Sequence, residues 1–218
     1  MPYQIQRLFD DPVLMEQVKS KLPALFLIAN KECSKNNKLG MEVGTTREKI
    51  IIALLIHLFG STKVIPNNVT EHELDVTFFG EKISIKTFST KTNSTVAEVK
   101  VSWTADAQSA SNFYNNYSPS CHMLLFHICW GYTGAIYYIP LDVQRAIMSE
   151  VGRTNYIKLP TPGRNTRGST IPQCIVRRLI THRDTIKIGI NWSISDVEHN
   201  PYARWLNEWE EAIPIDRS

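Results

Sequence analysis

"ELDVTFFGEKISIKT", residues 73–87, carries two runs of alternating apolar and polar residues on either side of one glycine. That is the pattern of a β-hairpin buried on one face. With Gly80 and Glu81 as a two-residue turn, and glycine supplying the positive φ of type II′, Phe79 pairs with Lys82, Thr77 with Ser84 and Asp75 with Lys86. Leu74, Val76, Phe78, Ile83 and Ile85 then share the inward face, and Asp75, Ser84 and Lys86 share the other. Directly opposed Cβ atoms lie roughly 4.5–5.5 Å apart, so the carboxylate meets the ammonium. A cross-strand ion pair accounts for this much, and exposed pairs of that kind contribute roughly 0–1 kcal/mol. The apolar setting of the lysine and a further acid upstream keep a chemical role open beside it.

Upstream, "GTTREKIIIALLIHLFG" predicts a helix from about Thr45 to Phe59, with Thr45 and Glu48 in capping-box spacing and Gly60 as its stop. Before it, a polar, glycine-containing loop follows a helical opening that runs to about Asn30, with Pro12 and Pro23 as boundaries. Strands are expected near 63–66, 73–79, 82–88 and 96–103, a helix over 104–117, and strands at "CHMLLFHI" and "GAIYYIP", the first uniformly apolar and so central. "LPTPGRNTRGSTIP" reads as an irregular surface loop, followed by a helix over about 173–182, a strand over about 185–192 and a last helix over 201–212 that docks Tyr202, Trp205 and Trp209 inward. The alternation is that of an α/β protein: a central mixed β-sheet flanked by helices, with a helical N-terminal segment.

The chain has 218 residues, 43% of them hydrophobic, which suits one packed domain. We expect a single unit over 1–218, with a core over about 40–140 and basic, C-terminal elements over about 141–218. The longest apolar run, Ile50 to Phe59, is too short to span a bilayer and the first residues lack a signal-peptide pattern, so a soluble cytoplasmic protein without membrane partners is expected. Cys33, Cys121, Cys129 and Cys174 lack metal-pair spacing, and Cys121 and Cys129, in an apolar segment, read as buried free thiols. The histidines form no HExxH motif, and no glycine-rich phosphate loop follows a strand. Net charge is only +3, but the basic residues crowd the C-terminal half, as suits a phosphate-rich ligand.

Phosphodiester hydrolysis needs such residues together. A carboxylate such as Asp75 holds a hard divalent cation, with Glu48 as a second or water-mediated ligand and a main-chain carbonyl such as that of Ile85 as another. The cation offsets phosphate charge and lowers the pKa of its water, and Lys86 orients or deprotonates that water. Here the sequence resembles the PD-(D/E)XK nuclease superfamily, with Asp75 in the first acidic slot, Ser84, Ile85 and Lys86 in the (D/E)XK slot, and Glu48 on the preceding helix. Leu74 replaces the usual proline, Ser84 is not acidic, and Glu42 is a rival to Glu48. "LGMEVGTTREKIIIALLIHLFG", "ELDVTFFGEKISIKT", "NYSPSCHMLLFHICWG" and "YYIPL" are similar to the ThaI group of type II restriction endonucleases.

That resemblance implies Mg²⁺-dependent cleavage of double-stranded DNA at a short palindrome, CGCG, by a homodimer with one active site per strand. Arginine is the expected reader of guanine O6 and N7. Arg164, Arg167, Arg177, Arg178 and Arg183 are candidates, with Lys35 and Lys38 as phosphate contacts. Met41, in a polar loop beside the suspected site, either wedges into a base step or folds onto the core. The remaining alternatives are a structure-specific, junction-resolving nuclease and a DNA-binding module whose nuclease face has decayed.

Overall fold

The structure is a computed structural model and describes residues 4–34, 41–67, 73–102, 106–159, 168–194, 197, 199–203 and 206–208. A 3₁₀ turn (Gln4–Gln6) and α1 (Arg7–Asp10) lead into α2 (Pro12–Ser34). Asp11 caps α2: its Oδ1 accepts the amides of Val13 and Leu14, each at 3.0 Å, while Pro12 fills the first helical position, where no donor is needed. Pro23 was expected to bound the helix and instead lies inside it. An internal proline costs about 3 kcal/mol, which is offset here because Val18, Leu22 and Phe26 lie along one stripe of the helix and all enter the core.

The next helix, α3, spans Met41–Phe59. It starts four residues before Thr45, so the expected capping box does not form and Glu48 stands mid-helix. Gly60 ends it with φ 82°, its N–H donating to the Ile56 carbonyl at 2.8 Å.

Among the described residues, six strands form the main sheet: β1 (Val64–Pro66), β2 (Val76–Phe78), β3 (Glu81–Ser89), β5 (His122–Ile128), β6 (Thr133–Ile139) and β8 (Ile186–Asn191), in the order β1-β2-β3-β5-β6-β8. The β3–β5 pair is parallel and the others antiparallel, so the sheet is mixed as expected. All seven residues of β5 are buried, as befits a central strand. The strand expected over 96–103 is only β4 (Val99–Lys100), and it pairs with β7 (Thr170–Ile171) in a separate two-stranded sheet.

Helices cover both faces. On one, α2 and α3 pack over Val76, Phe78, Ile83, Ile85, Leu124 and Phe126. On the other lie α4 (Ala107–Asn116), α5 (Leu141–Val151), α6 (Arg153–Tyr156) and α7 (Gln173–Thr181), over Phe88, Met123, Leu125 and Tyr137. No helix had been expected at α5, although Val143 and Ile147 bury one of its faces. Tyr202 is 67% exposed, against the expectation that it docks inward; Trp205 and Trp209 lie outside the described residues. Among the described residues no helix is long and apolar enough to cross a membrane.

The hairpin between β2 and β3 departs from the expected pairing by two residues. Val76 pairs with Ile83, Thr77 with Lys82 and Phe78 with Glu81, leaving Phe79 and Gly80 as the turn, with φ of 49° and 85°. Two positive φ values make it a type I′ turn, not II′. A phenylalanine in the left-handed region is strained. Its ring is held against Phe59 at 6.0 Å and Phe78 at 4.8 Å, with the Lys63 ammonium 5.7 Å from its centroid. A slip of two residues leaves every side chain on its original face.

Candidate active site

The β2–β3 ladder stops at the Val76–Ile83 pair, while β3 runs on to Ser89. Asp75 therefore lies one residue beyond the paired segment, next to strand backbone that β2 no longer covers. Its own amide donates to the Ile83 carbonyl and its carbonyl accepts from Asn67 N, both at 3.1 Å; the Asn67 side chain also donates to the Leu74 carbonyl at 3.1 Å.

On this pinned backbone, Asp75 Oδ2 accepts three hydrogen bonds: from the Ile85 amide at 2.5 Å, the Lys86 ammonium at 2.9 Å and the Ser84 hydroxyl at 3.2 Å. The Asp75–Lys86 side chains are 13% and 14% exposed, so this is no solvated surface pair. Ser84 is fully buried beneath them. A strand residue projects its N–H and C=O to the same side. Since the Ile85 amide reaches Asp75, its carbonyl faces the same gap.

The second carboxylate comes from α3. Glu48 is pushed up to about 7, first by partial burial and then by the negative charge of Asp75, against the opposing pull of Lys86 and Lys49. It lies close enough to the hairpin pair to feel both of their charges. Glu42, one and two-thirds turns earlier and so roughly 9 Å along the axis, is exposed in the first turn of α3.

Two charged residues outside the sequence-derived set are buried around this cluster. Glu73 is 6% exposed; it accepts the Tyr117 hydroxyl at 3.0 Å and both the amide and hydroxyl of Ser120, at 3.0 and 2.6 Å. It thereby ties the approach to Asp75 to the segment that enters β5. Arg47, beside Glu48, is also 6% exposed. The signal for Glu73 was its place two residues before Asp75, on the same strand face; nothing local marks Arg47.

The DNA-contact candidates are dispersed. Lys35, Lys38, Arg164 and Arg167 lie outside the described residues, and of Met41 only the backbone, at the first position of α3, is described. Arg177 is exposed on α7, Arg178 is ion-paired with Glu150, and Arg183 is 89% exposed beside Asp184. Two histidines serve the core. His122 Nδ1 accepts the Leu141 amide at 3.2 Å and stands 2.8 Å from the Tyr138 hydroxyl, and His127 stacks on Phe88 at 4.6 Å; burial lowers the pKa of both. All four cysteines are free, and Cys33, Cys121 and Cys129 are buried.

The hairpin lysine thus donates to the hairpin acid, and a helix glutamate lies within reach of both charges. The family model described as restriction endonuclease ThaI matches residues 8–211. The chain belongs to the ThaI restriction endonuclease family. A solved structure described as a restriction endonuclease in complex with substrate DNA shares 40% sequence identity with this ThaI-family chain, covers 96% of it and 100% of its own chain, and superposes with a TM-score of 0.84. No curated protein matches the chain.

Proposed function

We propose that this protein is a Mg²⁺-dependent type II restriction endonuclease with a PD-(D/E)XK active site. Its substrate is double-stranded DNA, cut at a short palindromic G/C site, CGCG, by a two-fold homodimer. The observation that carries this is the convergence of Ser84, Ile85 and Lys86 on one oxygen of Asp75, with Glu48 within reach of the charges of Asp75 and Lys86. The DNA-bound neighbour supports the substrate class, and the strings shared with the ThaI group support the CGCG site.

The residues present fit a hard divalent cation. Asp75 Oδ2 is filled by three donors, and no hydrogen bond to Oδ1 is made among the described residues. The negative charge of Asp75 disfavours ionised Glu48, a strain that a cation held by these residues would relieve. Asp75, Glu48 and the Ile85 carbonyl supply the oxygen ligands such an ion takes, the rest being water and phosphate. Among the described residues no group of three or more His, Cys, Asp or Glu side chains converges, so the site has two carboxylates and not a soft-metal cage. When bound, the cation supplies Lewis-acid stabilisation of the phosphate and acidifies water.

The chain's own residues do the remainder. Lys86, held by Asp75 at the edge of the gap, donates to the attacking water or to a phosphate oxygen as charge develops there. Ser84 lies too deep for substrate and fixes Asp75 through its hydroxyl. Glu48 is assigned as the helix acid over Glu42, because the charges of Asp75 and Lys86 act on it. DNA contacts are assigned to Lys35, Lys38, Met41, Arg164, Arg167, Arg177, Arg178 and Arg183, with Arg177 and Arg183 the most open of those described.

Unmethylated plasmid incubated with Mg²⁺ or with EDTA tests the proposal. Discrete metal-dependent fragments ending at CGCG are expected, and Lys86→Ala should abolish cutting while leaving DNA binding largely intact. Undiminished cutting by that variant refutes the site; cleavage confined to branched DNA refutes sequence-specific restriction.

A further inference from the structure

The buried guanidinium of Arg47 is an anomaly. It is 6% exposed, and burial pulls its pKa down to about 10. Its partners are neutral: Nη2 donates to Asn30 Oδ1 of α2 at 2.8 Å, Nη1 donates to Thr87 Oγ1 of β3 at 3.4 Å, and the cation lies 5.6 Å from the centroid of Phe26. Nε is buried without a hydrogen-bond partner, and among the described residues no carboxylate stands within ion-pair distance. An unpaired buried charge costs stability, so its retention calls for another explanation.

Its neighbours supply one. Arg47 precedes Glu48 on α3, and Thr87 follows Lys86 on β3. Successive residues of a helix diverge by about 100° and those of a strand by about 180°. The Arg47–Thr87 contact therefore lies on the side of β3 that α3 packs against, while Lys86 projects from the other side of the strand, and Glu48 turns away from Arg47 to within reach of the charges of Asp75 and Lys86. Asn30 supplies a third leg from α2. On the functional assignment given above, we propose that Arg47 is a positioning residue that braces α3 against β3 and α2, and so sets how far Glu48 reaches toward the Asp75–Lys86 pair and its cation. A planar fork can bridge two elements at once, which lysine's single ammonium cannot.

The test uses the full chain without DNA and follows thermal unfolding as Mg²⁺ is titrated, so the readout is cation binding and not turnover. In EDTA, Arg47→Met is expected to melt at or above the wild-type temperature, because an unpaired buried charge has been replaced by an apolar chain of similar length. Its midpoint Mg²⁺ concentration should nonetheless rise by about tenfold or more, as when the support of a ligand is removed. Thr87→Val, which removes only the β3 leg, should shift the midpoint in the same direction and decides the matter if Arg47→Met does not fold. In a Glu48→Gln background, Arg47→Met should add no further shift, since the two act in series. An unchanged midpoint in Arg47→Met, or an equal shift in both backgrounds, overturns the role of Arg47. An unchanged midpoint in Glu48→Gln alone overturns instead the metal assignment on which it rests.

Discussion

Replacing Glu48 by glutamine is expected to stabilise the metal-free protein at alkaline pH while weakening it when Mg²⁺ is present. The carboxyl stands at about 7 in the folded chain against an ordinary 4.5. Between those values the folded protein keeps a proton that the unfolded chain has released, so stability falls as pH rises through this window and levels off above about 7. The upper bound of that loss is about 3 kcal/mol. Glu48 is only partly buried, and solvent screening reduces the figure to about 1 kcal/mol. For a chain of this size that corresponds to about 2–4 °C in Tm. Glutamine has no proton to lose. In EDTA, the Tm difference between Glu48→Gln and wild type should therefore be near zero at pH 4.5 and open to a few degrees in favour of the variant by pH 8, as read by scanning calorimetry. Saturating Mg²⁺ at pH 8 should reverse the order, because the ion stabilises only the protein that binds it well. A variant less stable than wild type at pH 8 in EDTA, or a difference of equal size at pH 4.5 and pH 8, would refute the reasoning.

Other outcomes follow from the same geometry. Glu73→Gln leaves one acceptor oxygen where the carboxylate offers two, to the Tyr117 hydroxyl and to the Ser120 amide and hydroxyl; it should cost about 1–3 kcal/mol and lower Tm by several degrees at neutral pH, and an unchanged Tm would show that the latch is not needed. Gly134→Ala brings a Cβ to within 2.1 Å of the His127 carbonyl and 2.5 Å of Trp192 Nε1. Loss of the Trp192–His127 bond, now 2.7 Å, should cost about 1–3 kcal/mol by urea denaturation. Light scattering of the protein with a CGCG duplex should give twice the 24.9 kDa chain mass plus the DNA, and a 1:1 complex would argue against the two-fold dimer.

The sheet and the hairpin part of the candidate site were legible in the sequence because they depend on parity. Alternation fixed which side chains of residues 73–87 face together, and that survived a turn assigned to the wrong pair of residues. The turn itself was not legible: the glycine signal favoured Gly80 as its first residue, whereas packing of Phe79 on Phe59 and Phe78 draws a phenylalanine into the left-handed region. The spacing of Thr45 and Glu48 suggested a cap, but the cap is a local signal and α3 extends past it for reasons that lie elsewhere in the fold. Pro23 is a similar case, a local breaker overridden by the core. Glu73 and Arg47 were missed because burial of a charge is decided by what packs over it, and their partners stand 17 to 47 residues away in the chain.

The early end of β2 has a consequence for how such a site is lost. Two more paired residues on β2 would make a more regular hairpin and would engage the Ile85 backbone in ordinary strand pairing. Asp75 would then be drawn into the ladder and the gap beside it closed. Added strand pairing would thus gain regularity and close the candidate site, which stays open only while the strand is short.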